Sequence, residues 1–374
     1  MKSLLVLLLA ATPLSAAIIA GPYRLETNCV SWVSDSNATA WVEWNDSDGT
    51  IRRVAPSRDG LVEALTRIHR VTLEHLTPGL ARPMRAITRD IVKLEPYSVT
   101  FGVSTTNEFT FRAPPATSNR VSFVMLNDVH SQETLLRKLL APIVTNLPDA
   151  VILNGDIVND PRTETQIVPT VLRPLGEMLG VNVPLWFVRG NHETRGPLAR
   201  QLDGYLLPPG QRWYRAFTFG PVRVILLDAG EDKEDTHKAY SGLADFDRYR
   251  EEQARWLAAE VAGEAFRNAR YRVVFSHIPP FSTDEAQSWH GPQQVLKLWA
   301  PLCRGVGLTA WFSGHTHKAE VVDPQPGQHD YPVFIGGGSK PLAATVTRIE
   351  ADARRMKVTI LNADGAALVE RTLK

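Results

Sequence analysis

The side chains best suited to chemistry in this chain are aspartates, an asparagine and histidines in five short motifs. The motifs are NDVH, GDIVND, GNHE, SHIPP and GHTH, in that order along the chain. Their polar residues are Asp128, His130, Asp156, Asn191, His192, His277, His315 and His317. Carboxylate, amide oxygen and neutral imidazole together suit Mn, Fe, Zn or related divalent ions, whereas a thiolate site would need cysteines. The motifs therefore predict a transition-metal site.

Each motif comes directly after a run of apolar residues. The runs are VSFVML, DAVILN, PLWFVR, YRVVF and LTAWFS. Such near-continuous apolar runs are typical of strands that are covered on both faces, and open α/β sheets place their ligands at the carboxyl ends of strands. Asp128/His130 and His315/His317 are also spaced i, i+2, so an extended backbone would point each pair to one side. Position and spacing both indicate a shared site.

A purely structural role for these residues is the main alternative. A lone buried histidine or strand-end aspartate is more often structural than a metal ligand. Here a structural explanation must account for seven metal-competent side chains at five strand ends, none with an obvious charge partner in the sequence. Because burying that many polar groups without a cation would be costly, a metal site is the better interpretation.

The elements that must position these residues fall into two regions. A length of 374 residues with 44% hydrophobic content suits about two domains. Short alternating stretches separated by turn residues predict an all-β sandwich over residues 20–115, and the stretch FRAPPATSNR predicts a linker. Strands that alternate with helical stretches predict a layered α/β domain over residues 119–374. Residues 343–373 are expected to add strands at the sheet edge.

The first 17 residues have the order of a secretory signal peptide. Lys2 precedes an apolar run, Pro13 follows it, and small residues come next, so we expect cleavage near Ala17 and export to the periplasm or the extracellular space. An ordinary first strand or a membrane anchor is the alternative. The apolar run is shorter than the roughly 20 residues of a spanning helix. The mature protein is therefore expected to lack a transmembrane segment.

Charge and cysteine content exclude several other classes of protein. The chain has 41 Lys and Arg residues against 40 Asp and Glu residues, and losing Lys2 would balance them. Without a basic excess or a dense Lys/Arg run, general nucleic-acid binding has little electrostatic support. Cys29 and Cys303 lie in different predicted domains, so we expect two unpaired thiols that fill core space.

The five motifs in this order resemble the calcineurin-like metallophosphoesterase superfamily. The resemblance covers about residues 121–334 and implies an α/β/β/α fold, in which a layered β-sandwich is flanked by helices. The strand pattern of residues 20–115 also resembles the fibronectin type III domain that precedes the catalytic domain in purple acid phosphatases.

The superfamily pattern implies a site for two divalent transition metals. The first ion would be held by Asp128, His130 and His317, and the second by Asn191, His277 and His315. Asp156 would bridge both ions. A water shared by the ions would attack phosphorus. These seven residues are thus the implied metal ligands.

His192 has a separate role in the family pattern. It faces the substrate and stabilises or protonates the leaving oxygen, with packing around the ligands as the alternative. Asn159, Asp160 and Glu193 would orient ligands. Purple acid phosphatases carry a tyrosine where this chain has Asn159 and a glycine where it has His130. Ferric tyrosinate colour is therefore not expected, and the metal stays open among Mn, Fe and Zn.

The sequence thus predicts a metal-dependent hydrolase of phosphate monoesters or diesters. Its partner would be a small phosphoester or an exposed phosphate group. The alternative is a catalytically silent protein that reuses the fold to bind metal or phosphate.

Overall fold

The computed structural model describes residues 16–46, 48–115 and 117–374. Residues 1–15 of the predicted signal peptide lie outside this part of the chain, so cleavage and export stay predictions. Across the described residues, no helix combines the length and the apolar character that crossing a membrane requires.

Eight strands form the N-terminal region. They are β1 (Ile18–Leu25), β2 (Cys29–Asn45), β3 (Ile51–Val54), β4 (Ser57–Arg58), β5 (Leu61–Val62), β6 (Thr66–Thr72), β7 (Ala81–Glu95) and β8 (Ser98–Arg112). The first half of β2 pairs with β1 and β6, and the second half pairs with β3 and β7. Val30, Trp32, Val42, Val71 and Phe111 pack into a local core. This region is all-β, as predicted.

The rest of the chain alternates strands and helices. The strands are β9 (Val121–Leu126), β10 (Ala150–Asn154), β11 (Pro184–Val188), β12 (Arg215–Phe219), β13 (Val222–Leu227), β14 (Tyr271–Ser276), β15 (Ala310–Ser313), β16 (Glu320–Val322), β17 (Val333–Ile335), β18 (Thr345–Ala351), β19 (Met356–Asn362) and β20 (Ala367–Leu373). The helices are α1 (Glu133–Thr145), α2 (Arg173–Met178), α3 (Asp203–Leu206), α4 (Phe246–Val261), α5 (Glu264–Asn268), α6 (His290–Leu298) and α7 (Ala300–Cys303).

Two sheets pack face to face in this region. One contains β18, β9, β10 and β11, and the other runs in the order β12-β13-β14-β15-β17-β16. The burial of both faces of strand β9 explains why its apolar run is continuous. Phe123 and Met125 point into the core between the sheets, whereas Val124 and Leu126 face α1 on the outside. Side chains alternate along a strand, so a strand buried on both faces needs apolar residues at every position.

Helices cover the outer faces of both sheets. Leu136 and Leu139 of α1 pack on the first sheet, and Leu257 of α4 and Val295 of α6 pack on the second. The result is the layered α/β domain that the sequence predicts, in the helix–sheet–sheet–helix order that the superfamily resemblance implies. Strands β18, β19 and β20 pair in series beyond β9, which confirms the prediction for residues 343–373. Cys29 and Cys303 are buried and unpaired, also as predicted.

The N-terminal strands continue directly into the first sheet. Strand β1 pairs in parallel with β11, with Arg24 opposite Pro184 and Leu25 opposite Leu185. This ladder joins the two regions into one twelve-stranded sheet that ends at β8 and β20. Nothing in the strand pattern predicts the ladder. The fibronectin type III-like assignment and the limits 20–115 and 119–374 stay predictions.

Candidate metal centre

The five motifs lie where five strands end. Strands β9, β10 and β11 run parallel in the first sheet, and β14 and β15 run parallel in the second. Each motif follows the carboxyl end of one of these strands, as the apolar runs predict. The ends of both sheets meet at one place, because Asp156 Oδ2 after β10 lies 3.1 Å from His277 Nε2 after β14.

One group of possible ligand atoms surrounds Asp128, which is fully buried. Its Oδ1 lies 3.1 Å from His317 Nε2 and 3.7 Å from His130 Nε2. The two imidazole Nε2 atoms are 3.2 Å apart. With Asp156, these residues bring four ligand atoms within 4.8 Å of one another. The spacing fits the coordination of a single ion.

A second group contains Asp156, His277 and His315, whose ligand atoms also lie within 4.8 Å of one another. Asn191 adjoins it, with Oδ1 3.1 Å from His315 Nδ1. Asp156 belongs to both groups, so its carboxylate stands where two ions could share a ligand. The structure therefore brings together all seven side chains that the superfamily pattern implies as ligands.

The hydrogen bonds of His277 leave one nitrogen ready for a metal. Its Nδ1 lies 2.9 Å from the backbone oxygen of Asn154 and must donate to it. In the neutral form of the ring the lone pair is therefore on Nε2, which is buried 3.1 Å from Asp156 Oδ2. This is the tautomer that a histidine ligand needs, oriented by its second nitrogen. The residues present thus fit a metal ion.

The charges at this place also favour a cation. Burial by itself would lower the pKa of His277, but the carboxylates of Asp156 and Asp128 outweigh burial and raise it to about 10. Burial would raise the pKa of Asp156, yet the charge of His277 lowers it to about 2. Two buried carboxylates that hold a proton this firmly would also attract a metal ion in its place.

The backbone at the ligands differs from the one that the i, i+2 spacing implies. Asp128, His130, His315 and His317 have φ values of 54°, 51°, 74° and 58°, which lie in the left-handed region rather than the extended one. The explanation that an extended backbone aligns each pair is therefore wrong. Strands β9 and β15 end before the motifs, and a tight loop aligns the side chains. Such backbone strain is concentrated at functional sites.

Two glycines are required by the close packing of these loops. Gly155 has a φ of 83°, and a Cβ there would lie 2.4 Å from Cγ of His277. A Cβ on Gly190 would lie 2.2 Å from Oδ1 of Asp156. Any side chain at either position would displace a candidate ligand.

Glu193 ties two of the ligand loops together. This buried carboxylate accepts hydrogen bonds from the backbone N–H groups of Asp156 at 2.8 Å, Val158 at 2.7 Å and Gly190 at 2.8 Å. Burial and the charge of Asp156 raise the pKa of Glu193 to about 7, while the backbone donors act in the opposite direction. Its position matches the predicted orienting role.

We expect Glu193→Gln to lower the free energy of unfolding of the metal-free protein by about 2 kcal/mol, because the amide group would turn a donor toward a backbone N–H. Metal affinity should fall about 10- to 100-fold. Urea denaturation and metal titration measure the two effects. Glu177→Gln is the control, since Glu177 is exposed and pairs with Arg137 at the surface. Equal stability of the two variants would contradict the anchoring role.

His192 lies beside the two groups. Its Nε2 is 3.9 Å from Asp156 Oδ2, and its Nδ1 is 3.0 Å from Asp160 Oδ1. The ring is partly exposed, at 24%. Burial lowers the pKa of His192, and the nearby Arg195 adds to this against the attraction of Asp156. His192 can therefore reach a molecule bound at the candidate centre.

Three nearby residues escape prediction from the sequence. Arg195 places Nη1 3.2 Å from His192 Nε2. The Trp289 ring lies 6.0 Å from the ring of His315. Asn127 donates to Asp128 Oδ2 at 2.6 Å. Only Asn127 has a signal in the sequence, because it precedes Asp128 within NDVH, whereas the other two lie in loops outside the motifs.

The chain is similar to several known proteins. Residues 121–319 match the family model described as calcineurin-like phosphoesterase. Purple acid phosphatase 22 of Arabidopsis thaliana is 25% identical over 225 residues, which are 57% of this chain and 48% of that protein. The chain thus spans about half the length of this curated relative.

Solved structures show the same fold. A purple acid phosphatase from yellow lupin seeds aligns with a TM-score of 0.66 at 15% identity, over 96% of this chain and 74% of its own. PhoD aligns with a TM-score of 0.59 at 13% identity, over 97% and 90%. A dimetal phosphatase from Danio rerio aligns with a TM-score of 0.50 at 16% identity, over 68% and 98%.

Proposed function

The chain belongs to the calcineurin-like phosphoesterase family, and from this premise we propose that it hydrolyses phosphate monoesters or diesters with two divalent transition metal ions. The observation that carries the proposal is the shared position of Asp156 in both groups of ligand atoms. The hydrogen bond from His277 Nδ1 to the backbone oxygen of Asn154 supports it, because it leaves Nε2 directed at Asp156. The metal is Mn, Fe or Zn, which all suit this mixture of carboxylate, amide and imidazole.

The proposed ligands are those of the two groups. Asp128, His130 and His317 would hold one ion, and His277 and His315, with the adjoining Asn191, would hold the other. Asp156 would be shared by both ions. When bound, the two ions supply an activated water and positive charge for the phosphate oxygens. Two carboxylates leave the pair with a net positive charge, so the centre attracts an anionic ester although the whole chain is nearly neutral.

His192 acts on the leaving oxygen of the ester. Its ring is within reach of the centre, and Asp160 and Arg195 contact its two nitrogens and so fix its orientation. Burial keeps the free imidazole largely neutral. An anionic ester bound beside the ring favours the protonated form and raises the pKa of His192 again. The histidine can then donate a proton as the bond to phosphorus breaks.

The test is hydrolysis by protein of known metal content. The protein is stripped with a chelator and reloaded with Mn, Fe(II) or Zn, and metal content is measured beside hydrolysis of 4-nitrophenyl phosphate and bis(4-nitrophenyl) phosphate. We expect about two ions per chain and activity in proportion to the metal bound. Activity in fully stripped protein would refute the mechanism. Two bound ions without turnover of any ester would favour the metal- or phosphate-binding alternative.

A further inference from the structure

A cavity of about 820 Å³ lies beside the candidate metal centre. Asp160, Thr194 and Arg195 are among its lining residues. Asp160 and Arg195 are also the residues that contact the two ring nitrogens of His192. The cavity is therefore lined by two residues that contact the histidine that would protonate a leaving oxygen. The proposed hydrolysis gives this cavity no role.

Most cationic side chains that line this cavity already have partners. The lining cations are Arg162, Arg189, Arg195, Arg200 and Lys233. Arg189 pairs with Asp228 at 2.6 Å, Arg195 with Glu231 at 2.6 Å, and Lys233 with Asp232 at 2.6 Å. These three pairs hold the wall in place, and their charges are largely cancelled.

Arg162 and Arg200 are the two lining cations that take no part in these pairs. Both are exposed, and in the part of the chain that the structure describes neither guanidinium has a carboxylate or a hydrogen-bond acceptor. Asp160, the acidic residue of the lining, is already in contact with His192 and Arg195. The cavity thus presents two uncompensated positive charges, and each guanidinium can bind a phosphate through two parallel hydrogen bonds.

Much of the remaining wall is apolar. Pro197, Ala199, Leu243, Ala244 and Phe246 line it, and the Leu243 side chain is 75% exposed although it borders a cavity. A wall of this kind suits an aliphatic or aromatic framework, which would cover Leu243 on binding. The cavity therefore combines an apolar surface with a place for an anion.

We propose that this cavity is the leaving-group subsite and that it accepts an apolar leaving group carrying a second phosphate-like dianion. The inference rests on the proposed function. If His192 protonates the leaving oxygen, the leaving group must lie on the same side of the metal centre as His192, which is the side of this cavity. Two free guanidinium groups match the two charges of a phosphate better than the single charge of a carboxylate. The favoured substrate is then an organic bisphosphate whose phosphates are separated by a carbon framework.

The experiment compares three esters that share one ring: 4-methylphenyl phosphate, 4-(carboxymethyl)phenyl phosphate and 4-(phosphonomethyl)phenyl phosphate. The phosphonate has no ester bond to hydrolyse, so each molecule has a single scissile position. With the metal-loaded full chain, we expect kcat/KM to be about 10- to 100-fold higher for the phosphonomethyl than for the methyl ester. The carboxymethyl ester should fall between them. Added salt should reduce the preference.

The double variant R162Q/R200Q tests the assignment of the two arginines. It should lose most of the preference for the phosphonomethyl ester, chiefly through KM. The control R354Q removes an exposed arginine in the β18–β19 turn, at the far edge of the first sheet, and should keep the preference. Thermal unfolding of both variants checks their folding.

The outcomes separate the two proposals. Hydrolysis of all three esters at equal kcat/KM, or a preference that survives R162Q/R200Q, would overturn the subsite and leave the hydrolase standing. If no ester is hydrolysed, the hydrolase fails. Calorimetric binding of the methyl and phosphonomethyl esters to the metal-loaded protein then still decides the subsite, since equal affinity overturns it and tighter phosphonate binding that R162Q/R200Q abolishes supports it.

Discussion

Replacing Asp156 with asparagine is expected to lower kcat/KM for aryl phosphate esters by about 10³-fold, the equivalent of about 4 kcal/mol in the transition state. Asp156 contributes to both groups of ligand atoms and is only 2% exposed. An amide keeps the shape of the side chain but removes the negative charge that holds two cations together. The loss should therefore appear first in metal content.

The hydrogen bond to the backbone N–H of His192, which Asp156 Oδ1 accepts at 2.9 Å, can survive in the variant. We therefore expect Asp156→Asn to stay folded. Metal analysis, thermal unfolding and hydrolysis measured on one preparation separate these effects. Asp90→Asn is the matched control, because Asp90 is also a buried aspartate, 6% exposed, but lies in the N-terminal strand β7. A variant at Asp156 with full metal content and full activity would contradict the proposed bridge.

Replacing His192 with glutamine is expected to lower kcat by about 10²- to 10⁴-fold while metal content stays at the level of the unmodified protein. His192 is no member of either group of ligand atoms, so its loss should affect the chemical step rather than metal binding. The size of the effect should depend on the leaving group. A poor leaving group such as an alkoxide needs a proton, whereas 4-nitrophenolate does not.

The measurement compares an alkyl phosphate with 4-nitrophenyl phosphate in both proteins. The loss should be at least tenfold larger for the alkyl ester. His75→Gln serves as the control, because the His75 side chain is 94% exposed. If His192→Gln slows both esters equally, the histidine only packs against the ligands or orients the substrate, and general acid catalysis would have to be abandoned.

The layered fold and the position of the motifs are predictable because both depend on local patterns. Val124 and Leu126 alternate in direction with Phe123 and Met125, so burial on both faces leaves an apolar run that is visible in the sequence. Polar residues that follow such a run must lie at a strand end. The sequence alone therefore places the five motifs at the carboxyl ends of strands.

The backbone conformation at the candidate ligands differs from the predicted one. The i, i+2 spacing suggests extended strands, but Asp128 and His315 adopt left-handed backbone angles of 54° and 74°. Such a backbone depends on neighbours distant in sequence, such as Gly155, whose missing Cβ makes room for His277. Because periodicity reports only local conformation, it could not show that loops rather than strands align these side chains.

The residues that line the cavity beside the centre could not be predicted from the sequence either. Arg195, Arg162 and Arg200 come together with Leu243 only because separate loops close around one cavity. No periodic pattern marks any of them. Their roles depend on which charges are already paired, as Arg195 is with Glu231, and pairing is a property of the folded chain alone.

The ladder between β1 and β11 has a consequence for the order of assembly during synthesis. Arg24 is translated early, but its partner Pro184 emerges only after seven further strands of the same sheet have been made. Strand β1 therefore has one unpaired edge until β11 has been synthesised. The twelve-stranded sheet is complete only when this early segment pairs with one that is made much later. We therefore expect the two regions to finish folding together rather than one after the other.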